Sequence, residues 1–242
     1  MNRARKSLSI MDSAGRVGVA GTVAPFIEEQ AKGPREDFQL PDPISGYGVQ
    51  TVHLVVVGLN PGYDPQECDI PRFGSSFDDY YTFYRDRFAT HRDNQARVIK
   101  WRKQDDQSLR MLVISHYTKV DRLLRAIHPS LALGGSSVYL DAWPWRSSSG
   151  TAVVSNAAIT NLSRDRVNRL LAALQPAAVL ALGQWVSSLL DLTWTPGGLP
   201  RGHGSHPVIV QSYHPAARTW NNQYAATLQQ LLYTHLRARL KK

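Results

Sequence analysis

The stretch VHLVVVGLNPGYDP, residues 52–65, limits the folds open to this chain more than any other. A run of Val and Leu without polar alternation suits a strand covered on both faces, as in a parallel sheet between helices. The run ends at Gly58, and Leu59, Asn60, Pro61 and Gly62 follow at once. Proline fixes φ and glycine accepts the positive φ of a tight turn, so the strand must stop here. The open question is why a buried strand ends in so constrained a turn, with an amide side chain on it.

Three further apolar runs read as strands: SSVYLD (136–141), AAVLAL (177–182) and PVIVQSY (207–213), beside TVHLVVV (51–57). Between them lie segments with helical periodicity. FDDYYTFYRDRF (77–88) and HRDNQARVIKWRK (91–103) are amphipathic and charged, and SLRMLVISHYTKVDRLLRAIH (108–128) begins at Ser108 and stops before Pro129. Ser163 suits the N-cap of RDRVNRLLAAL, which ends at Pro176; QWVSSLLDL and QYAATLQQLLYTHLRARL follow. Strands alternating with helices predict an α/β fold, a three-layer α/β/α sandwich with a central four-stranded parallel sheet. Residues 1–45, with KGPRED and LPDPISGYG, lack periodicity and read as an irregular N-terminal arm. Residues 46–242 read as a single domain.

At 242 residues and 43% apolar content the chain can bury a sizeable core, and no apolar run reaches membrane-spanning length. MNRARKSLSIMDSAG is basic but carries no apolar segment after it, which argues against secretion. Cys68 is the only cysteine, excluding an internal disulfide and a cysteine-ligated cluster. A cytoplasmic monomer is expected. Lys and Arg number 28 against 19 acids, a net charge of +9. No acid follows Asp191, whereas Arg201, Arg218, Arg237, Arg239, Lys241 and Lys242 do. Such a chain attracts polyanions, with nucleic acid first among them.

In an open parallel sheet, ligands bind beyond the carboxyl ends of the strands. The four predicted strands end at Gly58-Leu59-Asn60-Pro61-Gly62, at Asp141, at Gly183-Gln184-Trp185, and at Tyr213-His214-Pro215-Ala216-Ala217-Arg218. Asn60, Asp141 and His214 therefore gather at one rim. Each alone has an ordinary explanation: a turn, a cap, a loop histidine. Their joint placement shifts the balance.

GLNPG after a hydrophobic strand, with YHPAAR after the last strand, resembles the two signature motifs of the uracil-DNA glycosylase superfamily. The Asn-Pro-Gly form is similar to the mismatch-specific and single-strand-selective branches, and the His-Pro form to the latter and to the classical branch. Phe73 stands thirteen residues beyond Asn60, where the family carries an aromatic that stacks on the extruded base. LQPAAVLALGQWV is similar to the family's third strand and following helix, and the likeness spans about residues 51–235.

The resemblance implies base flipping and hydrolysis of an N-glycosidic bond in DNA, with uracil as the first candidate base. Asn60 and His214 would be catalytic: the Asn60 carbonyl holding the attacking water, His214 donating to the base oxygen where charge develops. Gly58, Leu59, Gly62, Tyr63, Phe73 and Asp141 would bind the base. Pro215, Ala216, Ala217 and Arg218 would contact DNA, with Arg218 either wedging into the vacated stack or meeting a phosphate. Asp141 departs from the asparagine of several branches. An ionised carboxylate only accepts hydrogen bonds, so it suits an amino-bearing edge better than a carbonyl. It is protonated, turned elsewhere, or matched to a different lesion.

No cofactor is implied. The Gly-Lys-Ser/Thr of a phosphate loop is missing, and His203-x-x-His206 reads as a loop pair, structural or DNA-facing, so no metal is expected. Two other classes stay open: a catalytically inactive DNA- or nucleobase-binding member of the same fold, and a hydrolase of free nucleosides or a related sugar.

Overall fold

The computed structural model describes residues 38–41, 51–59, 99–103, 109–113, 115–133, 135–143, 145–147, 154–194, 201–203 and 207–240. Four strands lie parallel at its centre. They are β2 (Leu54–Gly58), β5 (Ser137–Asp141), β7 (Ala178–Leu182) and β9 (Val208–Ser212), in the spatial order β5-β2-β7-β9. All but Ile209 of these twenty strand residues are buried, which explains the unbroken apolar runs.

Side chains leave the strands alternately to the two faces. Leu54, Val56, Tyr139, Leu180 and Val210 pack with Val120, Leu124, Leu228 and Leu232 of helices α1 (Ser115–Ile127) and α4 (Asn222–Leu240). Val55, Val57, Leu140, Val179 and Ala181 pack with Val167, Leu170, Val186 and Leu189 of α2 (Ala157–Leu174) and α3 (Gln184–Leu189). Each fully buried Val or Leu contributes roughly 1.5–3 kcal/mol, so the two cores hold the sheet between its helices.

A fifth strand, β8 (Arg201–His203), runs antiparallel on the β9 edge, where a glycine-rich loop is expected from the sequence. Its register pairs Gly202 with Val210, and a Cβ on Gly202 would stand 2.9 Å from Nε2 of His235 on α4. Three residues are too few to show a strand pattern, and the pairing comes from the neighbour.

Elsewhere, too, the expectation and the structure differ. Ile99–Lys103 (β3) and Leu109–Val113 (β4) form an antiparallel pair, not portions of two helices. IKWRK alternates apolar and basic residues with period two, and LRMLV is a short apolar run that periodicity alone cannot assign. The helix that follows starts at Ser115. Phe38–Pro41 (β1), within the expected irregular arm, pairs antiparallel with β6 (Trp145–Ser147), with an irregularity between Gln39 and Pro41. A proline cannot donate to the ladder, which suits such a break. Helix α2 is capped by Asn156, whose side chain accepts from the Ile159 amide, and Ser163 is wholly buried inside it. Gln175, at φ 45°, ends that helix just ahead of Pro176, as expected. The predicted helix at 77–88 lies outside the described residues.

Candidate functional site

The carboxyl ends of the four parallel strands form one rim. Gly58 stands opposite Asp141 in register, and the ladder continues past both strands: the Ala142 amide donates to the Gly58 carbonyl and the Trp143 amide to that of Leu59, each at 2.9 Å. The chain leaving β2 is thus tied to the chain leaving β5.

Any side chain at position 58 must displace its neighbours. A Cβ there would collide with the Tyr139 hydroxyl and lie 2.5 Å from a carboxylate oxygen of Asp141. Tyr139 and Asp141 are two apart on β5, so both side chains leave the same face and reach across β2. The Asp141 carboxyl therefore lies over Gly58 at the end of β2, and the residue is 9% exposed. From the opposite face, Arg166 of α2, also nearly buried, donates through Nη1 to the Asp141 main-chain carbonyl at 2.7 Å. Arg166 escapes a reading of the motifs, although its spacing marks it: Ile159, Ser163, Arg166, Leu170 and Leu174 form the buried stripe of α2.

Leu59, half-buried, packs against the cluster of Trp143 and Ile159. Asn60, Gly62, Tyr63 and Phe73 lie outside the described residues.

At the other end of the rim, β9 runs into His214. The Ala217 amide donates to the His214 carbonyl at 2.8 Å, closing a turn, and the Ala216 amide donates to His214 Nδ1 at 3.2 Å. An Nδ1 that accepts has no proton, so the neutral ring carries its hydrogen on Nε2. Burial, and secondarily the Lys119 ammonium, hold His214 below the ordinary histidine pKa. Lys119 Nζ donates to the Pro215 carbonyl at 2.9 Å. Pro215 is buried, Ala217 half-buried, and Ala216 and Arg218 are exposed.

The floor of this turn is polar and aromatic. The Tyr213 amide donates to the Tyr224 hydroxyl, which donates to Ser212 Oγ, which in turn donates to the Tyr213 carbonyl, at 3.0, 3.2 and 3.1 Å. Burial raises the Tyr224 hydroxyl pKa. Trp194 meets the Tyr213 ring edge-on, with centroids 5.1 Å apart.

Gly58, Leu59, Asp141, His214, Pro215, Ala216, Ala217 and Arg218 thus share one edge of one sheet. With neighbouring strands about 4.8 Å apart, Gly58 stands roughly 10 Å from the end of β9 and Asp141 roughly 14 Å. Between them β7 leads into Gly183, whose amide donates to the Ser212 carbonyl at 2.7 Å, and the Gln184–Leu189 helix starts there. No family model matches this chain, and no curated protein is significantly similar to it.

Among the described residues, no group of three or more His, Cys, Asp and Glu could hold a metal ion. His203 lies on β8 and His206 outside the described residues. No helix among those described is long and apolar enough to cross a membrane. A cleft of about 760 Å³ opens at the opposite edge, beside Pro176 and Pro207 ahead of β7 and β9. Asp191 and Arg239 line it with opposite charges, and it contains none of the rim residues. The sequence-predicted residues that are described lie at the carboxyl rim instead.

Proposed function

We propose that the chain is a monofunctional DNA glycosylase of the uracil-DNA glycosylase type, with that family's three-layer sandwich, which extrudes a deaminated base and hydrolyses its N-glycosidic bond. The observation that carries this reading is His214 at the end of β9, its proton on Nε2, across the rim from the β2 end that leads into Asn60. In this scheme a base flipped from the stack, at a cost of a few kcal/mol, would meet the rim between the β2 and β9 ends. The His214 Nε2–H meets the base oxygen as negative charge moves onto it. A preorganised donor of this kind is worth about 10²–10³ in rate.

The Asn60 carbonyl would orient water at the sugar carbon; an amide cannot take its proton, so positioning and a good leaving group carry the reaction. Phe73 would stack on the base, worth roughly 1–3 kcal/mol. Asp141, beside Gly58 at the end of β2, would favour a lesion that presents a donor. Ala216, Arg218 and the basic C-terminal region would meet the phosphates. The reaction needs no cofactor.

Labelled oligonucleotides carrying uracil, hypoxanthine, xanthine, thymine opposite guanine, or unmodified cytosine test this, with alkali-sensitive abasic sites as readout. Release of one lesion, lost about 10²-fold or more in Asn60→Ala and His214→Ala, is expected. Rates unchanged from the parent in both variants would sink the residue assignment. DNA binding without release of any lesion would favour a non-catalytic reader.

A further inference from the structure

Lys119 stands on the exposed side of α1, yet its ammonium is bound to the backbone 96 positions away, at Pro215. A lysine head is strongly hydrated and loses rotamer freedom when held, so the tie needs a reason. Its acceptor supplies one. The carbonyl of Pro215 and the N–H of Ala216 are two ends of one planar peptide group. The first accepts from Lys119 at 2.9 Å, and the second donates to His214 Nδ1 at 3.2 Å. Ammonium, peptide and imidazole therefore form one hydrogen-bonded chain.

We infer that Lys119 is a positioning residue for His214, acting through the Pro215–Ala216 peptide to fix the ring's orientation and its Nε2–H tautomer. A cation on the carbonyl oxygen polarises the peptide and strengthens its N–H as a donor, because linked hydrogen bonds reinforce one another. The stronger that donor, the less room Nδ1 has for a proton. Protonating Nδ1 would set two N–H groups face to face and break the chain. The lowered pKa of His214, due to burial and then to Lys119, runs the same way.

Among the described residues, the titratable and charged groups around this turn are Lys119 from α1, Tyr213 and Arg218 beside His214, and Tyr224 from α4. The Lys119 charge acts on His214, second to burial. The Tyr224 hydroxyl is engaged with the Tyr213 amide and Ser212. The catalytic use of this arrangement rests on the glycosylase reading above. The relay itself belongs to the folded chain and is read without substrate.

The test uses the full chain with Lys119→Met, which keeps the stem but removes charge and donors, and Lys119→Arg, which keeps both. The His214 imidazole is titrated by NMR, with its tautomer read from the ring nitrogens, and thermal unfolding checks the fold. In the Met variant the His214 pKa should rise by about half a unit or more, and an Nδ1–H population should appear. The Arg variant should titrate like the parent. A Met variant with unchanged titration and tautomer overturns the relay, as does an Arg variant that shifts equally. On the cleaved lesion, the acid limb of kcat should move up in the Met variant and return in the Arg variant. A raised KM at every pH with normal His214 titration would make Lys119 a phosphate contact and overturn the inference. Should the parent release no base, the titration still decides the relay, while the glycosylase reading fails.

Discussion

At the β2–β5 half of the carboxyl rim, position is set by contact: Gly58 has no room for a methyl group beneath Tyr139 and Asp141, and two backbone bonds lock the departing chains together. At the β9 half, position is set by side-chain hydrogen bonds: Tyr224 and Ser212 below the turn, Lys119 beside it, and His214 bonded within it. A half built by contact tolerates little change of shape and is indifferent to modest pH change in its packing. A half built by hydrogen bonds around a histidine is adjustable by charge. The proposed reaction uses that division, since water must be held rigidly while the donor to the base must stay in one protonation state.

The largest effect should come from adding one carbon to the contact half. Gly58→Ala forces its Cβ into the Tyr139 hydroxyl and the Asp141 carboxylate, overpacking that costs about 1–3 kcal/mol. The urea midpoint should fall with little change in slope. Tyr139→Phe in the same chain removes the nearest atom and should recover part of the loss, leaving the Asp141 oxygen as the remaining obstacle. On the β9 half, an added atom at exposed Ala216, as in Ala216→Ser, should stay within about 0.5 kcal/mol. Similar losses from both changes would erase the contrast.

Much of this rim is legible in the sequence. An unbroken Val/Leu run announces a strand buried on both faces, and the strand-end rule brings Gly58, Asp141 and His214 to one edge before any coordinates. What escapes is contact between residues distant in the chain. Tyr139 reads as a core aromatic until Gly58 is seen beneath it, and Lys119 as a solvent-facing helix residue until Pro215 folds back onto it. Local ambiguity hides the rest. β8 exists because β9 offers an edge, and a short apolar run such as LRMLV fits a strand or a helix equally until a partner chooses.

A smaller effect should appear on acidification, and on the β9 half. His214 has a folded-state pKa below the unfolded value of 6.5, so the unfolded chain binds more protons between the two. Stability is then full above about pH 7 and declines as pH falls through 6.5 toward the folded pKa, where the decline stops. His53, half-buried ahead of β2 and lowered by burial, Arg239 and His128, contributes with the same sign from the other edge. Urea midpoints between pH 7.5 and 5 for the parent, His214→Asn and His53→Asn separate the two. Each variant should flatten the slope. A parent slope untouched by His214→Asn would remove the histidine from the adjustable half.

The smallest effect concerns α2, which braces the contact half through Arg166. Ser163 sits one turn before Arg166 on the same stripe, wholly buried, and its hydroxyl has no hydrogen-bond partner among the described residues. An unpartnered buried hydroxyl is a cost, and alanine is the better helix former, so Ser163→Ala should raise stability by up to about 1 kcal/mol. Because the rim there rests on shape and on the Arg166 bond to the Asp141 carbonyl, base release should be unchanged. If stability fell instead, the hydroxyl would be holding α2 in place. The contact half would then depend on a second polar group besides Arg166, and the distinction between the two halves would narrow to the Gly58 contact.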